Sequence, residues 1–165
     1  MSSKFITFLF IAAAVMSVLF SGLMIYVFVL KDSILDEVVL VRDGVNEVEL
    51  VVDDLQLTPG ATKQYNIVLN SKETGSYTLD MLYNETVDGG MKQFVDVQIL
   101  CAEEVIYDGT LADLLGGREI LHSLTLERGM VYDLTFIYSM SDEVGNEAQK
   151  TTTSFDINVA IMSEE

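Results

Sequence analysis

Two hydrophobic regimes divide the chain. From Phe5 to Leu30 runs a 26-residue stretch without a charge, interrupted only by Thr7, Ser17, Ser21 and Gly22 among apolar or small residues. At about 1.5 Å per residue, a helix of that length crosses a hydrocarbon core of about 30 Å with some tilt. The pattern therefore predicts a transmembrane anchor within residues 1–31. A cleaved secretory signal is the rival reading. Such a signal has an apolar region of about 7–15 residues and ends at a small-x-small cleavage site, and Ile25 to Leu30 offers no small residue there.

Beyond residue 35 the apolar period drops to two, the spacing of half-buried strands. Val38–Arg42 and Val48–Val52 are β-branched runs separated by Asp43-Gly44, a short hairpin signal. Leu57-Thr58-Pro59-Gly60 predicts a turn with Pro where its fixed φ is useful and Gly where φ is positive. Tyr65, Ile67 and Leu69 alternate, as do Tyr77, Leu79, Met81 and Tyr83. Turns are expected at Lys72 to Gly75 and at Asp88-Gly89-Gly90.

Phe94 to Cys101 and Val105 to Tyr107 read as further strands. Asp108 to Gly117 breaks the alternation, with Thr110 or Asp108 placed to cap one helical turn and Gly116-Gly117 to end it. Ile120, Leu124 and Leu126 resume the strand pattern, Arg128-Gly129 turns, and Val131 to Met140 is strongly β-prone. The polar loop Ser141 to Lys150 leads into a last strand, Thr153 to Ile161. Eight or nine strands with turns every ten or so residues imply an all-β fold, an antiparallel two-sheet sandwich of jelly-roll or immunoglobulin-like type. Three segments follow: the anchor or signal helix 1–31, a juxtamembrane segment or first strand 32–44, and a β-sandwich domain 45–165.

Charge restricts where that domain works and what it meets. All 26 carboxylates but only eight of the nine basic residues follow residue 30, so residues 31–165 carry a charge of about −18. Nucleic acid is not a partner for such a surface, since phosphate binding needs the opposite sign. Lys4 precedes the apolar run and Asp32 follows Lys31. Basic residues favour the cytoplasmic side, so the expected location is the cell membrane, through residues 5–30, with the C-terminal domain extracytoplasmic. Cleavage would leave it secreted instead. The one cysteine, Cys101, permits no internal disulfide, and in the series Val95, Val97, Ile99, Cys101 it reads as a buried small hydrophobe.

Four elements carry a resemblance to a known family: Leu57-x-Pro59-Gly60, Tyr107-x-Gly109-x-Leu111-x-x-Leu114, Gly145-Asn146-Glu147-x-Gln149 and Phe155-Asp156. Their order and spacing over about residues 45–160 resemble the TasA/camelysin family of bacterial and archaeal surface and biofilm-matrix proteins. That resemblance implies a jelly-roll fold, a cell-surface or extracellular-matrix location, and fibres formed when an extended terminal segment of one subunit completes a sheet of the next. The chain departs from the family in its leader, in its shorter length, and after Ala160, where Met162 stands in place of a common Gln.

The segment between helix and domain gives the assembly idea a basis in its own residues. Ile34, Leu35, Val38, Val39 and Leu40 are apolar, and a strand there would serve either as the first strand of its own sandwich or as an addition to a neighbour's exposed edge.

Catalytic chemistry finds little to work with. Some members of the resembled family carry a metallopeptidase label, but His122 is the only histidine and no His-Glu-x-x-His pattern is present. A zinc peptidase site would lack its ligands, and a hydrolytic triad has no other candidate base. His122 reads as a polar-face or loop-end residue. The carboxylate pairs Asp53-Asp54, Glu103-Glu104 and Glu164-Glu165 read as solvated charges, and the aromatic residues Tyr132, Phe136 and Tyr138 as a strand face. One loop differs: Asp142, Glu143, Asn146 and Glu147 place four oxygen-bearing side chains around Gly145. Ca²⁺ accepts such a grouping, although the spacing is not that of an EF-hand. A solvated turn is the competing reading, and no other cofactor is indicated.

Two functions remain. One is a non-catalytic surface or matrix protein that assembles with copies of itself or with related matrix proteins. The other is a monomeric membrane-tethered binding module or accessory subunit, with Ser141 to Lys150 as its recognition loop.

Overall fold

The computed structural model describes residues 34–42, 44–148 and 150–164, with the backbone alone described for residues 34–38 and for Asn146. The expected anchor Phe5 to Leu30 and the segment boundary at residue 31 lie outside the described residues. Among the described residues no helix is long and apolar enough to cross a membrane.

Nine strands carry the fold: β1 (Ile34–Val41), β2 (Val45–Leu55), β3 (Thr62–Ser71), β4 (Gly75–Gly89), β5 (Asp96–Cys101), β6 (Glu104–Thr110), β7 (Ile120–Leu126), β8 (Val131–Ser139) and β9 (Thr152–Ser163). One short helix, α1 (Leu111–Leu115), follows β6, and 3₁₀ turns occupy Met91–Phe94 and Asn146–Ala148. The strands form a five-stranded sheet in the order β1-β3-β8-β5-β6 and a four-stranded sheet in the order β2-β9-β4-β7. The pairs β2–β9, β3–β8, β4–β7, β4–β9, β5–β6 and β5–β8 are antiparallel. The two sheets make the expected sandwich, and Leu35–Glu165 forms one compact unit that includes β1 from Leu35 onward.

Alternation decides which side chains meet. Tyr65, Ile67 and Leu69 of β3 stand opposite Phe136, Leu134 and Tyr132 of β8, while Leu79, Met81 and Tyr83 of β4 stand opposite Ile161, Val159 and Ile157 of β9. Apart from the half-buried Tyr132, all of these are buried in one continuous core. At its centre Tyr83 stacks on Phe155 at 5.6 Å and Tyr65 meets Tyr138 edge-on at 5.7 Å. The hydroxyls of Tyr83 and Tyr138 lie 3.1 Å apart and bond across the two sheets. Each satisfies a polar group that burial would otherwise leave unpaired. Cys101 completes the inward series of β5 and is buried, and that burial raises its thiol pKa.

The expected hairpin across Asp43-Gly44 does not form. β1 joins β3 in one sheet, and β2 pairs with β9 in the other. A φ of +92° at Gly44 turns the chain between layers, which lets Val41 and the inward residues Leu50 and Val52 bury from opposite sides of the core. β4 also runs longer than expected, through Asp88 and Gly89, because Gly89 still pairs with Thr152. Among the described strands, β5 and β6 are the one consecutive pair that neighbour each other in a sheet.

Candidate functional site

One end of the sandwich gathers the long connections. The turn at Pro59-Gly60 closes with the Ala61 N–H donating to the Thr58 carbonyl at 2.8 Å, and Gly60 has a φ of +77°. This is the expected Pro-Gly turn. It is bound to the end of β8 by Gly60 N–H to the Met140 carbonyl at 2.9 Å and Met140 N–H to the Ala61 carbonyl at 3.1 Å.

Thr110 caps α1 by accepting the Asp113 N–H at 3.2 Å, and Leu111 and Leu114 plug into the core. The Tyr107 ring folds back over Gly109, where a Cβ would collide with the phenol. The Tyr107 hydroxyl donates to the Thr110 carbonyl at 3.2 Å, and Arg118 lies over the ring at 5.1 Å. The Tyr107-x-Gly109-x-Leu111-x-x-Leu114 pattern is thus a structural clasp, needing an aromatic, a bare Cα, a cap and two plugs at those spacings.

The Ser141–Lys150 loop lies at the same end. Asp142 and Glu143 are exposed. The Glu147 carboxylate turns back to accept the Gly145 N–H at 3.2 Å, and the Glu143 N–H is held by the Ser141 hydroxyl at 3.2 Å. Asn146 contributes backbone alone to the description. Among the described residues, no group of three or more His, Cys, Asp or Glu side chains converges as metal ligands would. The geometry therefore shows Glu147 engaged with its own loop, while Ala148 buries and anchors Thr151, whose hydroxyl donates to the Ala148 carbonyl at 2.8 Å.

Of the expected assembly residues, Ile34, Leu35, Val38, Val39 and Leu40 all fall in β1, at the outer edge of the five-stranded sheet. Val39 is buried and Leu40 is 46 % exposed. Lys72 N–H donates to the Val41 carbonyl at 2.9 Å just past the end of β3. β1 and β3 therefore finish at the same end of the sandwich and run the same way.

His122 does not occupy the expected polar face. It stands opposite the fully buried Leu79, half-buried because β7 is the edge strand of its sheet. Asp53 and Asp54 are exposed at a β2 irregularity, where Asp54 N–H reaches the Ser154 hydroxyl at 3.0 Å. Glu103 and Glu104 are exposed at the β5–β6 turn. The Glu164 carboxylate accepts from Thr78 at 2.7 Å and Ser123 at 3.3 Å, while Glu165 lies outside the described residues.

Two features had no clear sequence signal. Ala102 and Glu103 both take positive φ, +49° and +72°, in a turn lacking the Gly or Asn that usually marks one; the lapse in alternation after Cys101 was its only trace. Lys92 pairs with Glu85 at 2.7 Å and Asp88 at 2.9 Å beside a β4 bulge.

No known protein-family profile and no curated protein sequence matches the chain. Among solved structures, it is similar to a β-glucosidase from Kluyveromyces marxianus at 18% identity, covering 73% of this chain and 10% of that one with a TM-score of 0.32. It is similar to the Podospora anserina GH26-CBM35 β-(1,4)-mannanase at 10% identity, covering 75% and 28% with a TM-score of 0.43. A family 35 carbohydrate binding module from an environmental isolate is matched at 12% identity over 67% of this chain and 75% of that one, with a TM-score of 0.35. The chain thus spans about a tenth of the β-glucosidase chain, and likeness at this level assigns no function.

Proposed function

We propose that the chain is a non-catalytic structural protein of the cell surface or extracellular matrix, tethered through residues 5–30 and assembled by β-strand addition. The observation that carries this reading is the position of β1. The other eight strands pair as β2-β9-β4-β7 over β3-β8-β5-β6, which follows the order of a jelly roll built from two Greek keys. That set is complete without β1, which lies outside it beside β3 and is linked to it through residues 42–44. An edge strand on a short link is suited to exchange with the same edge of a second copy. The jelly-roll order also supports the resemblance to the TasA/camelysin family.

The test is Val39→Pro in the full chain held in detergent micelles. Proline removes the N–H at that position and clashes with continuous pairing. Concentration-dependent association by sedimentation should fall at least tenfold, while the β-rich circular dichroism spectrum persists. Unchanged association in a folded variant would defeat strand addition. A wild-type chain that stays monomeric at every concentration would instead favour the tethered binding module, with the convergence of Pro59-Gly60, α1 and Ser141–Lys150 at one end as its recognition surface.

A further inference from the structure

The chain's few cations are not evenly used. Lys92 is held by Glu85 and Asp88, and Arg118 lies on Tyr107. Three others, Arg42, Lys72 and Arg128, line a single cleft of about 540 Å³ together with Ser71, Glu73 and Gly129. Among the described residues that line it, three basic residues against one acid is the reverse of the balance in a chain of net charge −17. None of the three cations makes an ion pair with a described residue, since Lys92 makes the pairs found among them.

The cleft has a fixed frame. Ser71 N–H donates to the Met130 carbonyl at 3.1 Å, Gly129 N–H to the Ser71 carbonyl at 2.8 Å, and Lys72 N–H to the Val41 carbonyl at 2.9 Å. The Ser71 hydroxyl donates to the Glu73 carbonyl at 2.5 Å, and Arg128 N–H to the Thr74 hydroxyl at 3.0 Å. These bonds lock the end of β1, the β3–β4 turn and the β7–β8 turn together. They use backbone and small hydroxyls; of the three cationic groups, the Lys72 ammonium donates to Asn70 Oδ1 at 3.1 Å, and none is engaged by a described carboxylate.

Asp142 and Glu143 lie exposed at the other end of β8. β8 has nine residues, so about 30 Å separates cleft from loop along the strand at roughly 3.3 Å per residue. No molecule can close that distance on itself. A second copy, shifted along the strand direction, brings its acidic loop to the first copy's cleft. At physiological ionic strength the screening length is about 8 Å, so the general repulsion between acidic chains is damped while opposite charges in contact still attract.

We propose that the Arg42–Lys72–Arg128 cleft receives the Asp142–Glu143 loop of a second copy, stacking copies end to end. The contact joins two different surfaces, so it propagates from copy to copy, and copies shifted along the strand direction build a filament rather than a closed pair. It rests on the assembly reading above but uses a contact independent of β1.

The test uses two charge-reversed full chains in detergent micelles, Arg42→Glu/Arg128→Glu and Asp142→Lys/Glu143→Lys. Each alone should associate at least tenfold more weakly than wild type. Mixed in equal amounts they should recover association, because every cleft then meets a loop of opposite sign; that recovery also shows both are folded. Wild-type association should weaken as salt rises from about 50 mM to about 1 M. Variants that associate as wild type does, or a mixture that associates no better than either variant alone, would overturn the end-to-end contact and leave strand addition standing. A wild type monomeric throughout would overturn assembly itself, and this contact with it.

Discussion

Where β2, β4, β6 and β8 finish, the connections are long and side chains tie them down; where β1, β3, β5, β7 and β9 finish, they are short and backbone conformation shapes them. At the first end the Thr110 cap, the Tyr107 clasp and the buried Leu111, Leu114 and Ala148 pin the loops to the core. At the second, Gly44, Gly129, Ala102 and Glu103 turn the chain through positive φ, and a Cβ at Gly44 or Gly129 would meet nothing within 4 Å. The motifs that stand out in the sequence cluster at the first end because packing needs particular residues at particular spacings. At the second end small polar side chains hold the turns, as Arg128 N–H to the Thr74 hydroxyl and Gly44 N–H to the Ser163 hydroxyl show, and Arg42, Lys72 and Arg128 make no ion pair with a described residue.

The sharpest way to break this contrast is to make the same substitution at both ends. An added methyl at Gly89 would collide with the carbonyl and hydroxyl oxygens of Thr152 on the paired strand. Backbone cannot swing aside as a side-chain tip can, so Gly89→Ala should destabilise by about 3 kcal/mol, at the upper end of overpacking costs. Gly129→Ala meets open space and bears only the left-handed strain at φ +81°, about 1 kcal/mol. Urea unfolding midpoints measure both. Equal losses would show that the two ends are constrained alike.

The same contrast explains what could be read from the residues. Period-two alternation correctly marks Tyr65, Ile67, Leu69, Tyr77, Leu79, Met81 and Tyr83 as inward, and the chemistry of Pro59-Gly60 and Thr110 locates a turn and a cap. Alternation tells which face a residue takes, not which strand lies beside it. Asp43-Gly44 therefore looks like a hairpin although its flanking strands lie in different sheets. The basic cleft is illegible for a related reason: Arg42, Lys72 and Arg128 sit in three separate turns, and only the sheet order brings those turns together.

Both ends depend on the aromatic centre, which offers a test by pH. Burial raises the phenol pKa values of Tyr83 and Tyr138 above the usual 10. Below pH 10 the phenols are protonated in folded and unfolded chains alike, and stability is complete. Above it the unfolded chain ionises first, so stability falls as pH rises from about 10 toward the folded values. Urea midpoints should drop steeply between about pH 10 and pH 12, and less steeply in Tyr83→Phe/Tyr138→Phe. Identical slopes would place the sensitive groups outside this pair.

The smallest effect should come from the cap. Thr110 supplies one hydroxyl to the Asp113 N–H, and losing such a cap costs about 1 kcal/mol. α1 has only five residues and is held mainly by Leu111 and Leu114, so Thr110→Ala should loosen the helix without releasing it. Amide exchange should quicken at Asp113 while the β-strand amides keep their protection. If exchange also quickened across β4 and β9, the clasp would be part of the sandwich's cooperative core. Fast exchange confined to α1 would make it a fastening laid over a core that folds without it.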